Sequence, residues 1–239
     1  MKNHLLLTAL VITCCSASHH ASKKLKPTTS YKLKMTEPSD VCISGDGKSL
    51  YIASGDRYIY EVDFTGKIIR KGAYEGFDYE AVYADENYVY ANDESLRRID
   101  VYDPKTLNVV KSYDLDYNGP INKGFEALTW NGTKNCFVLV SEKNPCVLYE
   151  YDKDFRKIDE INVPQFREIS SATYYNGNLW LQSDEEETLY KLNPQDYSVT
   201  DQWRVPVVNP EGIAFDREGN LFMSSDDMGK LFYFSKPQL

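Results

Sequence analysis

Five short segments of the chain share one pattern of polar and apolar positions. Each begins with a turn, continues with an oxygen-bearing residue and then alternates; the segments read EPSDVCI, DYEAVYA, GFEALTW, EISSATY and NPEGIAF. We call the third residue of each segment its anchor. Successive anchors are 41 to 46 residues apart. A repeat of about this length, built from short strands, is typical of β-propeller blades.

Each repeat divides into four predicted strands. In the second repeat, alternating stretches at 80–84, 88–91, 96–102 and 107–115 are separated by turns rich in Asp, Asn and Pro. These residue types suit the backbone conformations of hairpin turns. No segment sustains a 3.6-residue apolar period, which would indicate a helix. The chain is therefore predicted to be all-β, a five-bladed β-propeller with four-stranded antiparallel blades, occupying residues 31–239.

The fifth repeat has only three strands of its own, because the chain ends soon after the stretch 231–234. Residues 31–35 alternate like a strand that has no repeat of its own. We expect this segment to complete the last blade, which would close the ring and cover a free sheet edge.

The N-terminus resembles the leader of a bacterial lipoprotein. A short charged region precedes an apolar run at 5–12, which is too short to span a bilayer and ends at Thr13-Cys14-Cys15. We predict a lipoprotein signal peptide at 1–15, with Cys14 or Cys15 as the acylated residue, and a flexible tether at 16–30. The protein would then be exported and lipid-anchored to the cell membrane or outer membrane, on the periplasmic or surface side. Ordinary signal cleavage with soluble export is the alternative.

Composition excludes several kinds of site. The three histidines, His4, His19 and His20, all precede the predicted domain, so a Ser-His-Asp triad and a His-ligated zinc site are excluded there. The net charge of −9 argues against nucleic-acid binding. Cys136 and Cys146 flank a predicted hairpin turn, where either a cross-strand disulfide or free thiols would fit.

The anchors are candidate metal ligands. All five start the innermost strand of a blade, so they should surround the channel at one end: Ser39, Glu80, Glu126, Ser170 and Glu211. Three glutamates near one axis repel each other unless a cation or protons neutralise them. Ca²⁺ accepts six to eight oxygen ligands and suits this set. Acidic residues beside the anchors, or in turns at the same end, form a candidate second shell or rim: Glu37, Asp78, Glu168, Asp93, Asp184 and Asp226.

The repeat motifs resemble the SdiA-regulated (YjiK-like) propeller family, which is similar to NHL-repeat proteins. The segments that carry this resemblance are EPSDV at Glu37, DYEAV at Asp78, EAL at Glu126, ISSA at Ile169 and PEGIA at Pro210. The resemblance covers 31–234 and implies five blades and a calcium site, with no biochemical activity firmly attached. Asp40 and Ser171 depart from it, since Gly is common at those positions. The Ser-Glu-Glu-Ser-Glu order of the anchors also resembles the calcium ring of calcium-activated nucleotidases (apyrases).

Three functions remain open. We expect a calcium-stabilised, non-catalytic monomer that presents one face to an envelope protein or a small ligand, with membrane contact through its lipid anchor only. The alternative is a calcium-dependent hydrolase of phosphoesters or lactones, with metal-activated water at the channel mouth. A third is a glycan binder that uses Trp130 or Trp180, although core packing explains these aromatic residues better.

The mature N-terminus should be a modified cysteine. Mass spectrometry of the membrane fraction should find an acylated Cys14 or Cys15, because either residue follows an apolar core of leader length. An unmodified N-terminus downstream of Cys15 on secreted protein would contradict this prediction.

Overall fold

The computed structural model describes residues 23–117, 124–143 and 145–239. Within these ranges the chain forms five small antiparallel sheets and no helix. Two short strands, β1 (Lys23–Lys24) and β2 (Thr29–Lys32), precede the first blade. The five-bladed β-propeller predicted from the repeats is confirmed.

The first three blades consist of consecutive strands, with the innermost strand first. Blade 1 contains β3 (Pro38–Ile43), β4 (Leu50–Ser54), β5 (Tyr58–Val62) and β6 (Ile68–Lys71). Blade 2 contains β7 (Tyr79–Ala84), β8 (Val89–Asp93), β9 (Arg98–Tyr102) and β10 (Val109–Asp114). Blade 3 contains β11 (Phe125–Asn131), β12 (Cys136–Ser141), β13 (Val147–Tyr151) and β14 (Lys157–Asn162).

The last two blades recruit the N-terminal strands. Blade 4 contains β15 (Ser171–Tyr175), β16 (Asn178–Ser183), β17 (Thr188–Leu192) and β18 (Val199–Arg204), with β1 added in parallel at its outer edge. Blade 5 contains β19 (Pro210–Phe215), β20 (Leu221–Ser225) and β21 (Lys230–Phe234), and β2 pairs with β21 as its fourth strand.

The hydrophobic core lies between the blades. The described residues form five apolar clusters, and each cluster joins the facing sides of two neighbouring blades. Both faces of a blade are therefore covered, which is why every residue of β4, β12 and β20 is buried. The innermost strands β3, β7, β11, β15 and β19 contact one another in order and close the ring.

A buried side-chain network ties the innermost strands together across the channel axis. The Asp40 carboxylate accepts hydrogen bonds from the Val82 backbone N–H and from the Ser171 hydroxyl, both at 2.8 Å. The Ser171 oxygen also accepts the Ile213 N–H at 3.1 Å. Asp40 is only 1% exposed, and burial raises its pKa well above the ordinary value. Two side chains thus connect blades 1, 2, 4 and 5.

The closing strand lies slightly earlier than predicted. It is Thr29–Lys32 rather than 31–35, with Tyr31 opposite Leu231 and Lys32 opposite Lys230. Leu33 and Met35 are buried, but they pack in the cluster between blades 5 and 1 instead of extending the strand. The alternation that suggested the strand therefore reflects core packing just beyond it.

The propeller also begins earlier than residue 31, where the sequence placed the end of a tether. Lys23 pairs with Trp203 and Lys24 with Arg204, and the Leu25 side chain is buried between blades 4 and 5. Cys14 and Cys15 lie outside the described residues. Within the described ranges there is no helix whose length and hydropathy would suit a membrane crossing.

The cysteines and tryptophans have structural positions. Cys42, Cys136 and Cys146 are free thiols, so no disulfide joins β12 to the start of β13. Trp180 is buried, and Trp130 packs edge-on against Phe137 at 5.0 Å between ring centroids. Trp180 belongs to the core between blades 4 and 5, and Trp130 packs on the core between blades 2 and 3.

Removing the closing strand should destabilise the whole ring. A chain that starts at Leu33 loses the pairing of β2 with β21, which we expect to cost about 2 kcal/mol in backbone hydrogen bonds. The melting temperature should then fall by about 4–8 °C relative to a chain that starts at Pro27, which keeps β2 and lacks β1 as well. Equal melting temperatures in differential scanning calorimetry would show that β2 does not close the ring.

Candidate metal centre at the channel mouth

A β-bulge positions the anchor in four of the five blades. The pairing of β3 with β4 passes from Pro38–Ser54 to Asp40–Ala53, which leaves Ser39 as an extra residue. The same shift occurs around Glu80, Glu126 and Glu211. A bulge turns the extra residue out of the alternation of the strand and commonly re-aims side chains at functional sites. The anchor position in these four blades is therefore defined by the same bulge in the backbone as well as by its residue type.

All five anchors meet in one cavity at the channel mouth. Ser170 reaches it without a bulge, from the residue just before β15, where its backbone N–H binds the Gln182 carbonyl at 2.9 Å. The cavity has a volume of about 290 Å³. Its lining consists of nine acidic residues, one lysine, two serines and one glycine: Glu37, Asp78, Glu80, Glu126, Glu142, Glu168, Asp184, Glu211, Asp226, Lys143, Ser39, Ser170 and Gly55.

The predicted rim is present except for Asp93. Five of its members line the cavity: Glu37, Asp78, Glu168, Asp184 and Asp226. Asp93 is fully buried instead, and its carboxylate accepts the backbone N–H groups of Phe77 and Leu96. The equivalent serines of blades 4 and 5 form similar turn contacts, Ser183 with the Glu186 N–H and Ser225 with the Met228 N–H. Asp93 thus caps a turn.

Glu94, one residue further on, is the residue of this turn whose carboxylate lies beside those of Asp78 and Glu80. Its backbone N–H binds the Asp78 carbonyl, just as Gly55 binds Glu37 and Glu142 binds Gly124. This backbone bond is the signal that places Glu94 and Glu142 at equivalent positions. The sequence analysis recognised these turns but named Asp93 as the rim residue of blade 2. It therefore missed Glu94, one residue later, and Glu142, at the same position in blade 3.

The tightest group of carboxylates lies in blade 2. One oxygen each of Asp78, Glu80 and Glu94 lies within 4.8 Å of the others. Glu80 also hydrogen-bonds to Ser39 of blade 1, and Glu94 to Glu126 of blade 3. The cluster therefore lies to one side of the mouth, in blade 2, and interacts with the anchors of blades 1 and 3, Ser39 and Glu126.

Local backbone features bring these carboxylates close together. Glu37 has a φ of 48°, a left-handed conformation that is uncommon for a non-glycine residue and recurs at functional sites. Gly55 lies so close to it that an added Cβ would be 2.3 Å from Glu37 Oε2. Glycine at 55 therefore makes room for the Glu37 carboxylate at the rim.

Burial and mutual repulsion make the carboxyl groups hard to ionise without a cation. Burial, with the nearby charges of Asp78 and Glu94, raises the pKa of Glu80 to about 8. Burial and Asp184 raise the pKa of Glu211 to about 9. The pKa of Glu126 is also raised well above its usual value, first by burial and then by Glu80. Such shifts indicate a site that gains from a bound positive charge.

Lys143 is the single basic residue that lines the cavity. Its Nζ lies 2.6 Å from Glu142 Oε1 and 3.2 Å from Glu185 Oε1. These two carboxylates hold the ammonium group at the edge of the site, where it offsets part of the negative charge. A small anion bound at the mouth would find this positive group beside the carboxylates.

The donor set fits a hard cation. The cavity is lined by carboxylates and hydroxyls, and no cysteine or histidine contributes to it. Three carboxylate oxygens already lie within the spacing of one coordination sphere. Oxygen-only sites of this kind favour Ca²⁺ or Mg²⁺ over zinc or copper.

Without metal, the protein should become less stable as pH rises from about 5 to about 9. In the unfolded chain these glutamates ionise near pH 4.5, whereas Glu80 and Glu211 in the folded protein keep their protons up to pH 8 and 9. The folded state then binds more protons, so the free energy of unfolding decreases with pH in this window. Urea denaturation in chelator at several pH values measures this slope.

The double variant Glu80→Gln, Glu211→Gln serves as the control for that slope. Because it removes two of the groups that titrate, its stability should depend less steeply on pH between 5 and 9. An equal slope in the variant and the original protein would contradict the assignment.

Comparison with known proteins supports the fold and places the chain in a family. A solved structure of glutaminyl cyclase from Myxococcus xanthus matches with a TM-score of 0.72 and 13% sequence identity, over 90% of this chain and 97% of that one. At this identity the match shows a shared fold only. No curated protein matches the sequence. The family model named SdiA-regulated matches residues 35–236, and the chain therefore belongs to the SdiA-regulated family.

Proposed function

We propose that this protein is a calcium-binding, non-catalytic module of the cell envelope, which presents its channel mouth to a protein or small ligand. The observation that carries this proposal is the convergence of five equivalent anchors on one cavity with nine carboxylates. A backbone bulge that recurs in four blades positions four of the anchors. Scattered surface acids would not share such a device.

Calcium suits the site better than magnesium because the ligands come from an irregular set of positions. Ca²⁺ tolerates irregular shells of six to eight oxygens, whereas Mg²⁺ requires near-octahedral geometry and keeps several waters. The five anchors come from five separate strands, and two of them are serines. We propose Ser39, Glu80, Glu126, Ser170 and Glu211 as the ligands, with Glu94 and Asp78 close enough to contribute through the blade 2 cluster.

Bound calcium would connect all five blades. The cation would offset the repulsion that raises the pKa values of Glu80, Glu126 and Glu211. Binding to the folded state alone stabilises a protein by about 2.7 kcal/mol at a ligand concentration of 100 Kd. The proposed role of the metal is therefore structural, and the mouth remains available to a ligand.

A calcium-dependent hydrolase is the second candidate, and Lys143 favours it. A positive group beside a metal could orient a phosphoester or carboxylate anion. The fold is compatible with a site for catalysis, since the similar Myxococcus protein is named as an enzyme. Calcium-dependent product release from a panel of nucleotides, phosphoesters and lactones, abolished by chelator, would decide for this function.

We also propose export and attachment to a membrane through an acylated Cys14 or Cys15. The support for this is the leader-like pattern of the N-terminal sequence. The charge of −9 and the acidic mouth suit partners with cationic groups better than nucleic acids.

Chelation should lower the melting temperature, and calcium should restore it. Glu211→Gln removes a charged anchor outside the blade 2 cluster and should weaken calcium binding at least ten-fold if the metal lies on the axis. Glu94→Gln should have the larger effect if the metal lies in that cluster, because Glu94 is not an anchor. Isothermal titration calorimetry separates these two positions.

Asp46→Asn is the matched control, since Asp46 lies in the turn between β3 and β4 at the far end of the propeller. It should leave calcium binding unchanged. If calcium alters neither the melting temperature nor the heat of titration in the original protein, the anchors form only a packed polar layer.

A further inference from the structure

A basic groove runs along the outer edge of the propeller where blades 4 and 5 meet. It has a volume of about 930 Å³ and is lined by residues from both ends of the described chain: Lys23, Lys24, Leu25, Lys26, Trp203, Lys236, Pro237, Gln238 and Leu239. All four lysines are exposed, and no acidic side chain lines the groove.

The charge of this groove is opposite to that of the protein as a whole. Lys23 is paired with Asp201 and lies 4.9 Å from the centre of the Trp203 ring. Among the described residues, Lys24, Lys26 and Lys236 have no carboxylate within salt-bridge distance. Unpaired lysines in a chain of net charge −9 form a local site for an anionic surface.

The groove extends along the side of the ring. It begins near the mouth end of blade 4, where Lys24 pairs with Arg204 and Arg204 with Thr188, and reaches the far end of blade 5. The turn that precedes β21 contains Asp226, which lines the mouth, so β21 ends at the opposite end of the propeller. Lys236 follows that end, and its N–H binds Asn220 Oδ1 at 3.2 Å in the turn after β19. An object in contact with the groove therefore meets the side of the ring, at the outer strands of blades 4 and 5.

The chain enters the propeller at this groove. Lys23 directly follows residues 1–22, which contain the apolar run at 5–12 and the candidate acylation sites. Any membrane attachment through those residues would bring lipid headgroups first to Lys23, Lys24 and Lys26. A lipid chain combined with a basic patch is a common pair of signals for stable anchoring.

We propose that the basic groove docks on an anionic lipid surface and holds the propeller by the outer edge of blades 4 and 5. The occupant would be a set of phosphate-bearing lipid headgroups. This inference rests on the proposed attachment through the N-terminal residues and adds a second membrane contact to it. It does not depend on calcium or on catalysis.

The test uses the full chain on phosphatidylcholine vesicles with and without phosphatidylglycerol. Vesicle-bound protein is treated with a water-soluble acetylating reagent, and each lysine is read by mass spectrometry. Acetylation of Lys24, Lys26 and Lys236 should be roughly ten-fold slower on the anionic vesicles. About 1 M NaCl should abolish the protection, because it shortens the Debye length to about 3 Å. Lys71 and Lys111, on the outer strands of blades 1 and 2, and Lys34, in the segment between β2 and β3, should react equally on both.

A pair of matched variants checks that the lysines themselves cause docking. Lys24→Gln, Lys26→Gln and Lys236→Gln together should expose Lys23 to acetylation on anionic vesicles. The same change at Lys34, Lys71 and Lys111, which removes equal charge elsewhere, should leave Lys23 protected. Protein that binds no vesicle overturns both the attachment and the docking. Protein that binds with equally reactive groove lysines on both lipids overturns the docking alone.

Discussion

The structure depends on one buried carboxylate that holds the innermost strands in register. Asp40 binds Val82 of blade 2 and Ser171 of blade 4, and Ser171 in turn binds Ile213 of blade 5. A buried acid with two donors is stable only while both donors remain in place, because an unpaired polar group would cost free energy. The strands therefore cannot slide along the axis, and the anchors that precede Asp40 and Ser171 stay level with those of the neighbouring blades.

That register creates an electrostatic conflict at the mouth. Level strands and repeated bulges bring Glu80, Glu126 and Glu211 to one cavity, where burial raises their pKa values. The five apolar clusters between the blades stabilise the ring strongly enough to maintain this arrangement. A cation at the proposed site would turn the same repulsion into binding free energy.

Charge is also distributed unevenly over the outside of the molecule. The mouth is acidic, whereas the groove between blades 4 and 5 is basic and lies where the N-terminal segment enters the propeller. In the proposed arrangement, the lipid surface would meet the outer edge of blades 4 and 5 and a ligand would meet the mouth. The proposed contact through the groove would add a second membrane contact to the expected lipid anchor.

The sequence by itself determined the number of blades and the five anchors, because a repeat and a period-two alternation are local properties that survive in the chain. It also predicted that an N-terminal strand closes the ring, but not the bounds of that strand, since Thr29 and Ser30 are polar and pair with a segment some 200 residues away. Nor did it separate Asp93 from Glu94, because both are acidic turn residues. Only the tertiary structure distinguished the two residues. The Glu94 N–H binds the Asp78 carbonyl, and the Glu94 carboxylate lies beside those of Asp78 and Glu80. The Asp93 carboxylate instead caps the turn.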